Sequence, residues 1–298
     1  MFVGMDPLET HRAALTAVAF GMLGTLADAE DAVQETYVRW MRLPDADRAD
    51  IRSPGAWLTR VTGRICLDVL GSARARRERY VGEWLPEPVP ADSSVAHAAL
   101  DPYERVERSE AVSTALLLVL ETLTPAERVV FVLHDVFAVS FDEIAAVIGR
   151  SAAACRQLAS SARRRVRDGR RRAAARERHD TLVAAFVAAC ATGELAAVVA
   201  ALDPDAVLRS DGGGVVSAAR RPVHGADAVA RFLLGLARKN PTARLEPVVT
   251  GDGAGVAIRD GDALLGVVTV GVSGEADADA RITDVWIMRN PAKLRLWA

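Results

Sequence analysis

Apolar side chains recur at helical spacing through the first part of the chain. The pattern predicts three helices, over residues 11–26, 28–40 and 53–72. Asp28 and Ser53 stand at the starts of the second and third helices, where short polar side chains cap free backbone N–H groups. Pro54 follows in a first helical turn, where its missing N–H is not needed. We therefore predict an all-helical domain over residues 1–81.

Capping signals punctuate the middle of the chain. Thr124 and Glu127 have the spacing of a capping box, and a second box follows at residues 140–143. Gly149 can end the helix that the second box begins, and Ser151 can cap the next one. A short helix, a glycine turn and a second capped helix are typical of a helix-turn-helix.

The last part of the chain changes from helical periodicity to alternation. Alanine-rich helical patterns near residues 180–202 precede a short strand at 206–214 and a helix at 224–239. Four alternating segments follow, near residues 244–250, 254–259, 263–272 and 280–289. The Asp-Gly turn in "RDGD" (259–262) joins two of them as a hairpin. We predict an α+β domain with a curved antiparallel sheet.

Charge is distributed unevenly along the chain. The 298 residues carry a net charge of −2, yet residues 150–178 hold 11 arginines against two acids, a local charge of +9. Residues 81–110 hold seven acids and two bases, a local charge of −5. A strongly basic helix in a nearly neutral protein indicates phosphate binding, although a solvated arginine-rich helix has the same composition.

Cysteine and apolar patterns exclude several classes of protein. Cys66, Cys155 and Cys190 have no metal-ligand spacing and lie in apolar helical patterns, so we expect buried reduced thiols and no metal. The longest apolar runs are too short to span a bilayer. We expect a soluble, cytoplasmic protein that has no cofactor and does not bind membranes.

The helix after Gly149 carries the candidate DNA-reading side chains. Arg156 and Gln157 point away from the apolar anchor Cys155, and they are our candidates to read base edges in a major groove. The other candidates for DNA contact on this helix are Ser151, Ser160, Arg163, Arg164, Arg165 and Arg167. Arginines of this run would give affinity without sequence information, because phosphate contacts carry none.

Three motifs in residues 11–166 resemble those of extracytoplasmic-function sigma factors, the promoter-recognition subunits of bacterial RNA polymerase. "DAEDAVQETY" (28–37) looks like the helix that binds the polymerase clamp, and "AWLTRVTGRICLDVL" (56–70) looks like the helix that reads the −10 element. Residues 123–166 look like the domain that reads the −35 element. Residues 180–298 resemble a SnoaL-like (NTF2-like) domain through "LDPDAVLRSDGGG" and "HGADAVARFL". The resemblance implies two all-α sigma domains, the second with a helix-turn-helix, followed by the α+β domain.

The resemblance also implies partners and residue roles. The partners are core RNA polymerase and promoter DNA. Asp31, Gln34 and Glu35 would bind polymerase through basic residues of its clamp. Arg60, Arg64 and Asp68 would lie beside the −10 strand. The backbone phosphates would be held by Arg74, Arg76 and Arg77.

One subgroup of these sigma factors carries three further motifs, and all three are present. They are "WLPEP" (84–88), "DGGG" (211–214) and "NPAKL" (290–294). A basic residue often follows DGGG in the subgroup, and an acid commonly stands third in the last motif; this chain has Val215 and Ala292.

The sequence of the proline-rich linker indicates that it can dock on another part of the chain. Its prolines pre-set an extended shape, which lowers the entropy lost on binding. We expect Trp84, Leu85 and Pro86 to pack on the C-terminal domain, near residues 211–214 or 290–294. The alternative is an acidic spacer with a partly exposed tryptophan. The candidate regulatory residues on the domain are Asp211, Gly212, Gly213, Gly214, Asn290, Pro291, Lys293 and Leu294.

The predicted organisation is a sigma factor with a fused regulatory domain. The domains are residues 1–81, a linker at 82–110, the helix-turn-helix domain at 111–178 and the SnoaL-like domain at 179–298. Whether the last domain activates or inhibits, and whether it binds a small ligand, stays open. One alternative is a ligand-sensing helix-turn-helix regulator without a polymerase role. The other is an isomerase or cyclase, for which the candidate residues are Asp211, His224, Asp284 and Trp286. We expect no enzymatic activity.

Overall fold

The structure of the protein, a computed structural model, describes residues 7–77, 80–93, 113–169, 175–274 and 280–297, without the side chains of residues 7 and 73–77. The chain forms two compact units. The first unit comprises Met1–Glu78, Asp92–Val112 and Leu116–Gly169, and the second comprises Arg79–Ala91, Ser113–Ala115 and Arg170–Ala298. Residues 82–91 of the predicted linker therefore belong to the same unit as the C-terminal domain. The rest of the predicted linker, from residue 94 onwards, lies outside the described residues.

Four helices form the first part of the first unit. They are α1 (Pro7–Leu23), α2 (Leu26–Met41), α3 (Asp45–Asp50) and α4 (Pro54–Arg77). The start of α2 differs from the prediction, because Thr25 and not Asp28 is its N-cap. The Thr25 hydroxyl oxygen accepts a hydrogen bond from the backbone N–H of Asp28. The helices α1, α2 and α4 pack around Phe20 and Leu58, which are buried.

The helix-turn-helix is present as the sequence predicts. It follows α5 (Thr114–Leu120) and is built from α6 (Pro125–Phe131, continued by a π-helical turn at Val132–Val136), α7 (Phe141–Ile148) and α8 (Ala152–Gly169). Both capping boxes are confirmed, at Thr124 with Glu127 and at residues 140–143. Gly149 ends α7 in the left-handed conformation at φ 68°, which glycine adopts without a steric penalty.

Within the first unit, α4 packs against both α6 and α7. The contact is close at Gly63, where an added Cβ would lie 3.3 Å from side-chain atoms of Leu133 and of Val147. Two hydrogen bonds join the same two groups of helices. Arg64 Nη1 donates to the carbonyl of Val147 at 3.1 Å, and Arg128 Nη1 donates to the carbonyl of Met22 at 3.1 Å.

The second unit is an α+β domain. Its helices are α9 (Arg176–Thr192), α10 (Leu195–Ala201) and α11 (Ala226–Lys239), and 3-10 turns lie at Pro291–Lys293 and Arg295–Trp297. Its strands are β1 (Leu202–Asp211), β2 (Val223–His224), β3 (Arg244–Thr250), β4 (Gly253–Asp260), β5 (Ala263–Ser273) and β6 (Arg281–Met288).

The six strands form one sheet in the order β2-β1-β6-β5-β4-β3. Strands β3 to β6 form the predicted antiparallel meander, but β1 pairs with β6 in parallel, so the sheet is mixed and not wholly antiparallel. The reason is the crossover through α11, which separates β1 from the meander and leaves β1 beside its last strand.

The helices of the second unit cover one face of this sheet. Phe186 of α9 and Val229 of α11 belong to a buried apolar cluster with alternate residues of the strands, among them Leu208, Val285 and Ile287. Because strand side chains alternate between faces, the residues between those positions point to the opposite face. That opposite face carries the linker. No helix among the described residues is long and apolar enough to cross a membrane.

Candidate nucleic-acid interface and linker-binding site

The helix α8 presents one buried and one exposed face. Ser151 caps it, and its hydroxyl accepts a hydrogen bond from the N–H of Ala154 at 3.2 Å. Cys155, Ala159 and Ala162 are fully buried against α6 and α7, which fixes the rotation of the helix about its axis. Five of the predicted DNA-contacting residues lie on the exposed face: Arg156, Gln157, Ser160, Arg164 and Arg167.

Two other arginines of the run bind their own domain. Arg163 Nε donates to Asp135 Oδ1 at 2.6 Å. Arg165 Nη1 donates to the carbonyl of Thr122 at 3.3 Å and lies 3.6 Å from Glu127 Oε2. Both side chains are exposed, but their guanidinium groups are partly neutralised by these acids.

The first helical part places its predicted residues on α2 and α4. Asp31 and Gln34 are exposed, whereas Glu35 accepts a hydrogen bond from Arg39 at 2.8 Å. Arg60 is exposed on α4. Arg64 and Asp68 are paired at 3.8 Å, and Arg64 also bonds to the carbonyl of residue 147 as described above. The side chains of Arg74, Arg76 and Arg77 lie outside the described residues.

In the second unit, Asp211 is the centre of a buried polar site. Its side chain is fully buried at the end of β1, on the sheet face away from the helices. Oδ1 accepts from the hydroxyl of Tyr80 at 2.6 Å and from the N–H of Gly213 at 2.9 Å. Oδ2 accepts from the N–H of Leu85 at 3.0 Å and from Lys293 Nζ at 2.8 Å. Four donors thus converge on one carboxylate.

Lys293 closes the site from the C-terminal side. Its ammonium group is buried and also donates to the carbonyl of Leu85 at 2.6 Å. The same nitrogen lies 4.2 Å from the centre of the Trp84 ring, a cation–π arrangement. Trp84 and Leu85 therefore contact Asp211 or Lys293 directly, and the adjoining Pro86 is buried. We call Tyr80, Trp84, Leu85, Asp211, Asn290 and Lys293 the linker site.

Tyr80 and Asn290 complete the linker site. Asn290 Nδ2 donates to the Tyr80 hydroxyl oxygen at 3.0 Å, while that hydroxyl donates to Asp211. Burial raises the pKa of Tyr80, and the hydrogen bond to Asp211 and its charge raise it further. The sequence analysis missed Tyr80, although its position four residues before the WLPEP motif was a signal.

The glycine loop brings the motifs together. Gly213 has φ 66°, and a Cβ there would lie 2.5 Å from the side chain of Asn290, so both its backbone angle and its packing require glycine. Leu294 is buried, whereas Pro291 and Ala292 are exposed. Val215 is 77% exposed, so neither of the two positions that depart from the subgroup pattern contributes a side chain to the linker site.

The residues considered for catalysis do not converge. Asp284 pairs with Arg209 at 3.4 Å and His224 is exposed. Trp286 alternates with core residues of β6 and so lies on the face that carries the linker. Among the described residues no group of His, Cys, Asp and Glu has the arrangement of a metal site.

Three family models match the chain in succession. Residues 8–77 match sigma-70 region 2, and residues 113–166 match sigma-70 region 4. Residues 183–292 match the SnoaL-like domain. The first helical part is therefore region 2, and the helix-turn-helix domain is region 4.

Relatives match this chain over nearly its full length. The ECF RNA polymerase sigma factor SigJ of Mycobacterium tuberculosis H37Rv is 40% identical to this chain. The alignment, 304 positions long with its gaps, covers 97% of this chain and 92% of that protein. A probable ECF RNA polymerase sigma factor, SigI, of the same strain is 37% identical and covers 97% and 95%. A crystal structure of M. tuberculosis SigJ matches with a TM-score of 0.71 at 36% identity over 96% of both chains. The chain therefore belongs to the extracytoplasmic-function RNA polymerase sigma factors, and it initiates transcription at specific promoters.

Proposed function

We propose that the SnoaL-like domain regulates this sigma factor in cis, by holding the linker and so restraining the separation of region 2 from region 4. The observation that supports this most directly is the set of four donors on Asp211, one of which comes from Leu85 of the linker and one from Tyr80 just before it. A spacer that merely connects two domains needs no such site.

The energetics favour a stable docked linker. Leu85 is 1% exposed, and burying a leucine side chain contributes about 1.5–3 kcal/mol. Asp211 and Lys293 form a buried ion pair in which both partners make further hydrogen bonds. Removing one partner of such a pair costs about 3–5 kcal/mol, because the other charge is left buried without compensation. The linker site is therefore sensitive to single substitutions.

Docking also restricts the connection between the two sigma regions. Region 2 ends before the linker and region 4 begins after it, so their separation depends on how the linker can move. Residues 80–91 lie in the second unit. A free chain of 12 residues can span at most roughly 40 Å in any direction, whereas the docked segment has one fixed path along the C-terminal domain.

Region 2 packs on region 4 in the first unit, and this packing occupies a proposed DNA contact. One guanidinium nitrogen of Arg64 donates to the carbonyl of Val147, which orients this side chain towards region 4. Arg128 is buried between its bonds to Met22 and Glu121. Burial lowers the pKa of Arg128 to about 10, which leaves the group charged at neutral pH. We infer that this arrangement is the closed state and that polymerase and promoter bind an open one.

The interfaces with polymerase and DNA follow from the exposed faces. The acidic-amide face of α2, with Asp31, Gln34 and Glu35, suits a basic surface of core polymerase. Arg156 and Gln157 suit base edges of the −35 element, and Arg164 and Arg167 suit its phosphates.

The SnoaL-like domain acts here as a binding module and not as an isomerase or cyclase. Asp211, the strongest candidate base, accepts hydrogen bonds from four donors. A general base needs a free lone pair near substrate, which Asp211 does not offer.

Run-off transcription with limiting core polymerase tests the proposal. We would compare the full chain, residues 1–178 alone and the full-chain variant Asp211→Ala. Removing Asp211 leaves Lys293 buried without its partner, so the linker should be released. We expect at least several-fold more transcript from both altered proteins than from the full chain.

The exposed Asp262, in the turn between β4 and β5, provides the control. Asp262→Ala changes the same residue type in the same sheet and should leave transcription unchanged. Equal or lower output from Asp211→Ala, with the protein still folded by circular dichroism, would show that docking does not restrain the sigma factor.

A further inference from the structure

The turn between β3 and β4, residues Thr250–Gly253, contacts three separate parts of the chain. The first is the end of the described linker. The N–H of Ala91 donates to the carbonyl of Val249 at 3.0 Å, and the N–H of Gly251 donates to the carbonyl of Val89 at 3.0 Å. Residues 89–91 thus add a short antiparallel segment to the outer edge of β3.

The second contact is with the first residue of α5. Asp252 Oδ1 accepts from the backbone N–H of Thr114 at 2.7 Å, and Oδ2 accepts from the Thr114 hydroxyl at 2.6 Å. An N–H in the first turn of a helix has no acceptor within that helix, so Asp252 acts as a cap supplied from another part of the chain. Burial raises the pKa of Asp252, and the bonds from Thr114 oppose that rise.

The third contact is with the first turn of α9, just after the arginine run of region 4. Asp180 Oδ1 accepts from the N–H of Ala254 at 2.8 Å. The His179 ring lies between Asp180 and Val270. Its Nδ1 is 3.0 Å from Asp180 Oδ1, and its Nε2 is 3.1 Å from the carbonyl oxygen of Val270. At Gly253 a Cβ would lie 2.7 Å from His179 Nδ1, so the turn fits against the helix only with glycine there.

The residues that the turn contacts lie close to the start of region 4 or beyond its end in the sequence. Residues 89–91 lie before region 4, Thr114 is the second residue of region 4, and residues 176–180 lie after it. All three belong to the second unit. One four-residue turn therefore holds the chain where it leads into region 4 and where it leaves.

We propose that the turn Thr250–Gly253 is a second anchor, independent of the linker site, through which the SnoaL-like domain holds the start of region 4 at Thr114 and the helix that follows region 4 in the chain. Asp252 is its main positioning residue, since it alone bonds to both donors of Thr114 among the described residues. This inference rests on the proposed function: the anchor would add to the restraint that the docked linker imposes.

Hydrogen–deuterium exchange at single-residue resolution on the full chain tests the anchor. In Asp252→Ala, the amide of Thr114 loses its acceptor and should exchange roughly tenfold faster, the usual scale of a lost helix cap. The amide of Leu85, which donates to Asp211, should keep its wild-type rate, because the linker site is untouched. Asp262→Ala should alter neither amide.

A second variant protects the test against misfolding. Thr114→Val leaves the C-terminal domain unchanged and removes one of the two bonds to Asp252, so exchange at residues 114–116 should rise by a smaller factor. If the Thr114 amide in a folded Asp252→Ala protein exchanges at the wild-type rate, there is no anchor.

Transcription separates this inference from the proposed function. We expect Asp252→Ala to raise run-off output at limiting core polymerase, as Asp211→Ala does. If Asp211→Ala raises output and Asp252→Ala frees Thr114 without raising it, the anchor has no regulatory role although the linker site does. If Asp252→Ala raises output and Asp211→Ala does not, the restraint acts through the anchor and the proposed role of the linker site fails.

Discussion

Glu127 accepts more hydrogen bonds than a capping residue needs. Its carboxylate closes the capping box with Thr124, and its Oε1 also accepts from the hydroxyl of Ser161 at 2.7 Å. Burial alone would raise the pKa of Glu127, but the bonds from Thr124 and Ser161 and the charge of Arg165 lower it overall. One buried acid thus joins α6 to the recognition helix α8.

The lowered pKa makes the stability of region 4 depend on pH. The unfolded chain binds more protons than the folded one in the range between the folded pKa and the ordinary value, so stability rises with pH there. The contribution of Glu127 is complete above about pH 5 and is lost as the pH falls through its folded value. We expect Glu127→Gln to lower the unfolding free energy by about 1–2 kcal/mol at pH 7, and by less at pH 4. Urea unfolding at both values measures the difference.

Glu143 supplies a matched control for this prediction. It closes the second capping box with Ser140, but it is exposed. Glu143→Gln should therefore cost a few tenths of a kcal/mol with little pH dependence, as exposed pairs do. A Glu127→Gln loss that is equally large at both pH values would mean that the charge of Glu127 does not contribute.

At the scale of the element, the arginines of α8 differ in their ion pairs. Arg163 and Arg165 are exposed and bind acids of their own domain, while Arg156 and Arg164 are exposed and lie in no such pair among the described residues. The guanidinium carbon of Arg156 lies 5.5 Å from the centre of the Phe141 ring, so its side chain is already oriented near the start of the helix. Recognition helices contact base edges through residues near that end.

The position of Arg156 predicts loss of specificity on substitution. Arg156→Ala should weaken binding of the holoenzyme to its own promoter by about 1–3 kcal/mol and relax the preference at one base of the −35 element. Arg164→Ala should weaken binding to all sequences alike and reduce the salt dependence, because a phosphate contact carries no sequence information. Competition binding against a set of single-base promoter variants distinguishes the two. An equal loss on every variant would make Arg156 a phosphate contact.

The elements that the sequence predicted correctly depend on neighbouring residues. Each capping box and the turn at Gly149 is determined within four positions, so the local pattern suffices. The parallel pairing of β1 with β6 depends on residues some 75 positions apart, as with Arg209 and Asp284. The bond between Asp252 and Thr114 spans 138 positions. No periodicity signals such contacts. Contact between the linker and the C-terminal domain could be predicted for another reason. The resemblance to one subgroup of sigma factors connected the WLPEP, DGGG and NPAKL motifs, which lie far apart in the sequence.

At the scale of the whole molecule, two sets of contacts are proposed to restrain the sigma regions. One set joins region 2 to region 4, and the other consists of the linker site and the turn Thr250–Gly253 in the C-terminal unit. Each of the two regions donates one arginine hydrogen bond to the other. Arg64 of region 2 donates to a region 4 carbonyl, and Arg128 of region 4 donates to a region 2 carbonyl. Each hydrogen bond from a charged group contributes about 1.5–3 kcal/mol, less where solvent competes. A partner that offers replacement contacts can therefore separate region 2 from region 4. Such a difference in contacts between two states is what a ligand-driven shift requires.

Fluorescence energy transfer tests this opening directly. Donor and acceptor dyes on α2 of region 2 and α8 of region 4 should give high transfer in the free full chain and low transfer on core polymerase. Arg64→Ala removes one exchanged bond at a half-exposed position, so it should raise the open fraction of the free protein a few-fold. Arg60→Ala, an exposed arginine one turn away on the same helix, should not. High transfer that persists in an active holoenzyme would refute the closed-to-open scheme, because region 4 would then read its promoter while still packed on region 2.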